Sequence, residues 1–240
     1  MLFTAILHYV CHIFYIVQPE DVDIIYALGS NGKNAKLLFD LEKNITKAII
    51  RQQNFPGTKH GVIIFGNQAK QRTPLDHFPK KSKLIKLVKT LKWLSDATRL
   101  DKPLLKASEM FKDEGRLSSR RFLVIFVTGN LDTPNDELQK AAKKVVNAGG
   151  KIIAYKMGDH LKDDILSDVI PKDKTITVRF TDDPWRLAIW FNFLSRKGEK
   201  NSFTFLSNST IFRKLLYLKT ILSYNHLRFV SAMSLMSCAQ

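Results

Sequence analysis

Cysteine is nearly absent from this sequence of 240 residues, which contains only Cys11 and Cys238. Both lie outside the central region, so neither a disulfide framework nor a cysteine zinc site is expected there. The six histidines show no metal-ligand spacing, and the central region lacks a recognisable nucleophile–base pair or paired catalytic carboxylates. We therefore expect a protein that is not an enzyme.

Acidic residues are scarce relative to basic ones. The chain has 22 Asp/Glu against 38 Lys/Arg, a formal charge of +16. Of these, 31 Lys/Arg and 20 Asp/Glu lie in residues 21–193, so the charge of this region is +11. Such an excess favours acidic partners, among them a polyanionic glycan, an anionic membrane surface, nucleic acid or an acidic protein. If the charges cluster, we expect salt-sensitive binding to a polyanion such as heparin. Nothing indicates specific nucleic-acid recognition.

Long hydrophobic runs are also lacking. Residues 2–17 are mostly apolar, but they are shorter than the roughly 20 residues that span a bilayer. Residues 1–20 are therefore a candidate signal peptide; a buried helix or strand and a mis-assigned first exon remain alternatives. Whether residues 1–18 are removed would separate a secreted protein of the extracellular matrix from a cytoplasmic one.

The C-terminal extension, residues 194–240, differs in composition from the central region. It contains seven Lys/Arg and the single acid Glu199, a net charge of +6. Residues 211–222 have helical character and a basic face that could contact a membrane or a partner. An additional helix or an unstructured extension is the simpler interpretation.

Between these ends, residues 21–193 alternate short apolar runs with amphipathic ones. Strands are predicted at 23–28, 61–65, 69–73, 122–127, 151–155 and 175–180. Helices are predicted at 35–52, 82–94, 100–111, 136–148, 161–169 and 184–194. Asp136 is predicted to cap a helix start, and Gly149 with Gly150 to end that helix. The alternation predicts a mainly parallel sheet covered on both faces, with any ligand at the carboxyl ends of the strands. Three loops could meet there: 29–33, 95–99 and 128–130.

The first of these loops nearly fits a phosphate-binding loop. "ALGSNGKN" follows a strand and precedes a helix, but Asn34 stands where the motif needs a hydroxyl for magnesium. The strand "FLVIFVTGN" ends without the acid that would hold that ion. A nucleotide-binding protein is therefore a weaker alternative.

Residues 21–193 resemble a von Willebrand factor type A (vWA) domain. "DVDIIYALGSNGKN" is similar to that family's first strand and metal-site loop, "GVIIFGNQAKQRTPL" to its second strand and edge hairpin, and "LSDATRLDKPLLKASEMF" to its threonine loop. "RRFLVIFVTGN" is similar to its central strand, and "AAKKVVNAGGKIIAYKMGD" to its second half. The resemblance implies a Rossmann-like three-layer α/β fold with a mainly parallel six-stranded sheet and one short antiparallel edge strand. It is closest to the matrix branch, which includes type VI-like collagens.

The vWA family implies a metal-ion-dependent adhesion site built from an Asp-x-Ser-x-Ser loop, a Thr and an Asp. Gly29 stands at the first Asp, Asn31 and Lys33 at the serines, and Gly129 at the final Asp; only Thr98 matches. Hard dications need anionic oxygen ligands, so we expect no magnesium and no cofactor.

We expect the degenerate positions to form a face that binds a matrix or cell-surface protein without metal. The main alternative function is an intracellular vWA scaffold that assembles complexes. In a secreted protein, Asn44 and Asn208 would be candidate glycosylation sites. The expected partner-binding face comprises Gly29, Ser30, Asn31, Lys33, Thr98 and Gly129.

Overall fold

A six-stranded sheet organises the described part of the chain, in the order β3-β2-β1-β4-β5-β6. All neighbouring strands run parallel except β3, which pairs antiparallel with β2 at one edge. The predicted fold class is confirmed. The computed structural model describes residues 21–29, 35–53, 55, 57–77, 80–94, 99–128, 133–157, 169–170, 174–178 and 182–196, with side chains up to residue 192. The strands are β1 Val22–Leu28, β2 Thr58–Phe65, β3 Ala69–Thr73, β4 Arg120–Thr128, β5 Gly150–Met157 and β6 Thr175–Val178.

Helices cover both faces of this sheet, because successive side chains of a strand point to opposite sides. Ile24, Tyr26 and Leu28 of β1 enter one core, whereas Ile25 and Ala27 enter the other. The helices are α1 Ala35–Gln52, α2 Lys81–Thr90, α3 Asp101–Asp113, α4 Asn135–Asn147 and α5 Pro184–Arg196. Helices α1, α2 and α5 pack on the first core, and α3 and α4 pack on the second.

The predicted elements agree with the structure except near their ends. Helix α1 and strand β3 have the predicted bounds. Strand β2 begins three residues before the predicted start, because the residues from Thr58 onward pair with the start of β1. Helix α2 ends at Thr90 rather than residue 94, because Leu91 takes an extended conformation (φ −59°, ψ 133°). Of the predicted helix at 161–169, the structure describes only Val169, which lies in a turn. The last two residues of the predicted final strand lie outside the described residues.

The prediction that Asp136 caps α4 is wrong. The helix begins at Asn135, and Pro134 occupies the cap position with an extended ψ of 140°. Asp136 lies within the first turn, where its carboxylate pairs with Lys140 at 3.3 Å. A negative charge in the first turn still interacts favourably with the helix dipole. The predicted end is confirmed, since Gly149 takes the left-handed φ of 75° that glycine adopts at little cost.

A buried ion pair anchors β1 at the edge of the sheet where the strand begins. Asp23 is completely buried and accepts hydrogen bonds from the backbone N, Nε and Nη2 of Arg116, at 2.7–2.8 Å. Ser119 Oγ also donates to this carboxylate. The guanidinium further donates to the carbonyls of Val22 and Gly57. Arg116 thereby joins the loop before β4 to the starts of β1 and β2.

His60 is a buried ionisable residue near the start of β2. Its ring stacks between Tyr26 and Phe55, and Nδ1 is hydrogen bonded to the Tyr26 hydroxyl at 3.1 Å. Within the described residues, Nε2 has no hydrogen-bond partner. Burial, assisted by the nearby positive charge of Lys81, lowers the pKa of His60 from 6.5 to about 3. The folded protein therefore keeps this imidazole neutral.

We expect this histidine to make the free energy of unfolding decrease as the pH is lowered. The unfolded chain takes up a proton below about pH 6.5, whereas the folded chain does so only near pH 3. Stability is therefore lost between these values, by about 2 kcal/mol at pH 5 relative to pH 7. Urea denaturation at both pH values checks this. His60→Gln should reduce the pH-dependent loss by most of that amount; an unchanged loss would show that other groups cause it.

Candidate functional site

The described segments beside the three predicted loops lie at the same edge of the sheet. Strands β1 and β4 are parallel neighbours, with Ala27 opposite Ile125, so both end on one side. The backbone N–H of Arg99 donates to the carbonyl of Gly66, just after β2, at 3.1 Å. The N–H of Leu100 donates to Thr133 Oγ1 at 2.8 Å. The segments beside all three loops therefore meet at the carboxyl edge, as the parallel topology requires.

Gly29 is the predicted site residue that the structure describes at this edge. Ser30, Asn31, Lys33, Thr98 and Gly129 lie outside the described residues, so the structure places only the segments that lead into them. Of the candidate glycosylation sites, Asn44 is exposed in the middle of α1, and Asn208 also lies outside the described residues.

The backbone of Gly29 lies directly against the end of β2. A Cβ atom at this position would come within 2.4 Å of the Phe65 carbonyl oxygen and 2.9 Å of the Phe65 ring. Contacts this short do not occur between unstrained atoms, so no other residue fits without local movement. The position that the vWA resemblance aligns with the family's first aspartate therefore lacks room for a side chain.

A buried carboxylate from α1 lies beside this glycine. The N–H of Gly29 donates to Glu42 Oε2 at 2.9 Å, and Glu42 is completely buried. Buried carboxylates are costly unless they are hydrogen bonded, and bonds to a charged acceptor are the stronger kind. Glu42 therefore fixes the start of the loop from inside the core. Glu42 was not predicted as a site residue, although its position four residues after Leu38 on the apolar face of α1 was a usable signal.

A second polar cluster connects the other two loops. Arg99 donates to both carboxylate oxygens of Asp101, at 2.8 and 3.1 Å, and also bonds Glu137 of α4. Asp101 is buried and pairs as well with Lys102 at 3.2 Å. Burial alone would raise the pKa of Asp101, but hydrogen bonds from Arg99 and Lys102 outweigh it and lower that pKa. The bond to Asp101 is the main cause of the raised pKa of Arg99. Asp101 is therefore an ionised carboxylate occupied by two cations.

The described donor set does not fit a divalent cation. Gly29 offers no side-chain oxygen, and Asp101 is already paired with Arg99 and Lys102. In the sequence, Lys33 carries an ammonium group and Gly129 has no side-chain ligand, whereas a metal site would need hydroxyl or carboxylate oxygens at these positions. Across the described ranges, no three His, Cys, Asp or Glu side chains form a metal-binding group.

The fold and this edge define an α/β domain of the Rossmann-like class, with a candidate binding face at the carboxyl ends of its parallel strands. The family model of the von Willebrand factor type A domain matches residues 30–188, and the chain belongs to this family. Comparison with curated protein sequences finds no match.

Solved structures of low sequence identity share the fold. Proximal thread matrix protein 1 from the mussel byssus aligns with a TM-score of 0.61 at 16% identity, over 75% of this chain and 46% of its own. One structure of that protein is described as having a zinc-occupied MIDAS motif, that is, a metal-ion-dependent adhesion site. An aerotolerance-related membrane protein of Bacteroides fragilis aligns with a TM-score of 0.55 at 14% identity, over 73% and 99% of the two chains. BatB of Bacteroides thetaiotaomicron aligns with a TM-score of 0.54 at 15% identity, over 73% of this chain and 100% of its own. The chain spans about half of the byssus protein.

No helix in the described part of the chain combines the length and apolar character that a membrane span requires.

Proposed function

We propose that this chain is a non-enzymatic protein-binding module that uses the carboxyl edge of its sheet without a metal ion. The observation that carries the proposal is the packing of Gly29 against Phe65, where a Cβ would lie 2.4 Å from the carbonyl oxygen. A metal site of the family type needs a carboxylate from this position. The carbonyl oxygen and ring of Phe65 occupy the space that this ligand would need.

Lys33 is the residue that we propose replaces the metal ion in partner recognition. In metal-bearing vWA domains, as the family implies, a carboxylate of the partner completes the coordination of the ion. An ammonium at position 33 can bind such a carboxylate as an ion pair. A partly desolvated, hydrogen-bonded pair contributes about 1.5–3 kcal/mol, whereas an exposed pair contributes about 0–1 kcal/mol.

The proposed setting is extracellular, with a matrix or cell-surface protein as the partner. It is supported by the apolar segment at residues 1–20 and by the matrix-type vWA resemblance of residues 21–193. A matrix protein of the mussel byssus has the same fold, although at 16% identity this likeness concerns the fold alone.

Lys33→Glu is expected to abolish capture of the partner while leaving the melting temperature within a few degrees, because the change reverses one charge in the candidate site. Full-length protein is immobilised and incubated with matrix and with cytosolic extracts, with and without EDTA. We expect matrix proteins that bind equally with EDTA and are lost from the Lys33→Glu surface. Lys112→Glu, at an exposed position in the last turn of α3, is the matched control and should bind normally.

Millimolar magnesium or manganese should also leave the melting temperature unchanged. Binding that disappears with EDTA would show that a metal site functions. Normal binding by Lys33→Glu would place the partner elsewhere, and specific capture from the cytosolic extract alone would favour the scaffold alternative.

A further inference from the structure

Basic side chains collect on the surface formed by α1 and α2, which cover the first core. The two helices pack together, and Lys81 Nζ at the start of α2 donates to the carbonyl of Arg51 near the end of α1, at 3.2 Å. Residues 77–95 contain six lysines and no acidic residue. We call this surface the α1–α2 face; its basic residues are Lys43, Lys47, Arg51, Lys81, Lys83, Lys86 and Lys89.

The positive charge of the α1–α2 face is poorly neutralised by the residues that the structure describes. On α1, Asp40 is engaged by Lys43 at 2.7 Å, and Glu42 is buried beside Gly29. On α2, Lys83, Lys86 and Lys89 are exposed, and none of them makes an ion pair in the described structure. A row of uncompensated ammonium groups therefore extends about 9 Å along the helix.

Lys47 lies where the charges of the two helices meet. Its pKa is lowered, first by burial and then by the positive charges of Arg51, Lys43 and Lys89. These groups on both helices are thus close enough to repel one another. A bound anion would relieve this repulsion, so the face gains more from a polyanion than isolated surface lysines would.

We propose that the α1–α2 face binds a sulfated glycan chain. This inference goes beyond the proposed function, because it concerns a second surface and a second class of partner. A linear polyanion with repeated charged groups can contact several ammonium groups of α2 and α1 at once. The contacts are point charges, which suit lysine ammonium groups and make binding depend on salt.

Other anionic partners fit this face less well. Single-stranded nucleic acid binds to platforms of several exposed aromatic residues, whereas the described helices α1 and α2 present none, because Phe39 is buried. Trp93, which is 37% exposed, lies beyond the end of α2. A membrane surface would require an exposed apolar face on α2, but Leu84 and Val88 are buried in the core. An acidic protein would normally add a large apolar anchor beside the basic row, and no exposed large hydrophobic residue lies within α2. On α1, the exposed Leu37 lies six residues before Lys43, the first basic residue of the face.

The proposal is tested with two triple variants that each lose three lysine charges. One loses them from α2, and the other loses them from helices on the opposite side of the sheet. The full-length triple variant Lys83→Gln/Lys86→Gln/Lys89→Gln should bind a heparin oligosaccharide at least about tenfold more weakly at 0.15 M salt, with a shallower salt dependence. The control Lys112→Gln/Lys143→Gln/Lys144→Gln changes three exposed lysines on α3 and α4, which pack on the second core. Its affinity should fall by less than about twofold, because these charges lie beyond the α1–α2 face.

Both triples keep residues 197–240, so a contribution from the basic extension cancels in the comparison. Thermal melts confirm that each variant is folded. Equal weakening in the two triples would overturn the proposal, since it would show attraction by net charge alone. Absence of heparin binding by the unmodified protein would also overturn it, and so would equally tight binding of a double-stranded DNA of matched charge.

Discussion

Asp23→Ala should lower the free energy of unfolding by about 3–5 kcal/mol, because it leaves the guanidinium of Arg116 without its buried partner. Asp23 is completely buried and receives three hydrogen bonds from Arg116. The ion pair connects the starts of β1 and β2 with the loop before β4, so its loss affects the centre of the sheet. Urea denaturation monitored by tryptophan fluorescence measures the change.

Asp21 provides a matched control on the same arginine. Its carboxylate pairs with Arg116 Nη1 at 3.0 Å, but the side chain is 46% exposed. Exposed ion pairs contribute about 0–1 kcal/mol, so Asp21→Ala should cost no more than that. A loss of similar size in the two variants would show that burial does not determine the strength of this interaction.

Gly29→Asp should destabilise the domain by about 1–3 kcal/mol and should not restore a metal site. The substitution returns the carboxylate that the vWA family implies, but its Cβ would meet the Phe65 carbonyl oxygen at 2.4 Å. A metal bound to the folded state would raise the melting temperature further with each tenfold increase in ion concentration above its Kd. We therefore expect a lower melting temperature in this variant that magnesium and manganese leave unchanged.

Gly57→Asp is the control for introducing the same side chain at another glycine. A Cβ at Gly57 meets no atom within 4 Å, so this variant should remain within about 0.5 kcal/mol of the parent protein. A Gly29→Asp protein of normal stability that gains a magnesium-dependent rise in melting temperature would contradict our interpretation. It would show that the loop retains space for a ligand and that the metal site was lost by residue identity alone.

The fold was accessible from sequence because its strongest signals are periodic. Helix α1 is buried along one stripe, so its apolar residues recur at helical spacing. Strands β1 and β4 are buried on both faces, so their apolar residues form continuous runs. Both patterns are visible in the sequence. The ends of elements were less predictable. The extension of β2 to Thr58 depends on pairing with β1, and the cap of α4 is a proline whose conformation replaced the expected capping by Asp136.

The candidate site shows the same division. The sequence alone determined that positions 29 and 129 carry no carboxylate, and that Lys33 stands among the positions that the vWA resemblance assigns to the metal site. It also determined that all charged residues between 77 and 95 are lysines. Only the tertiary structure decided that Phe65 fills the space beside Gly29, that Glu42 reaches it from α1, and that the charges of α1 and α2 form one face. These facts join residues distant in the chain, whose distances are set by sheet register and helix packing. A local pattern carries no record of such distances.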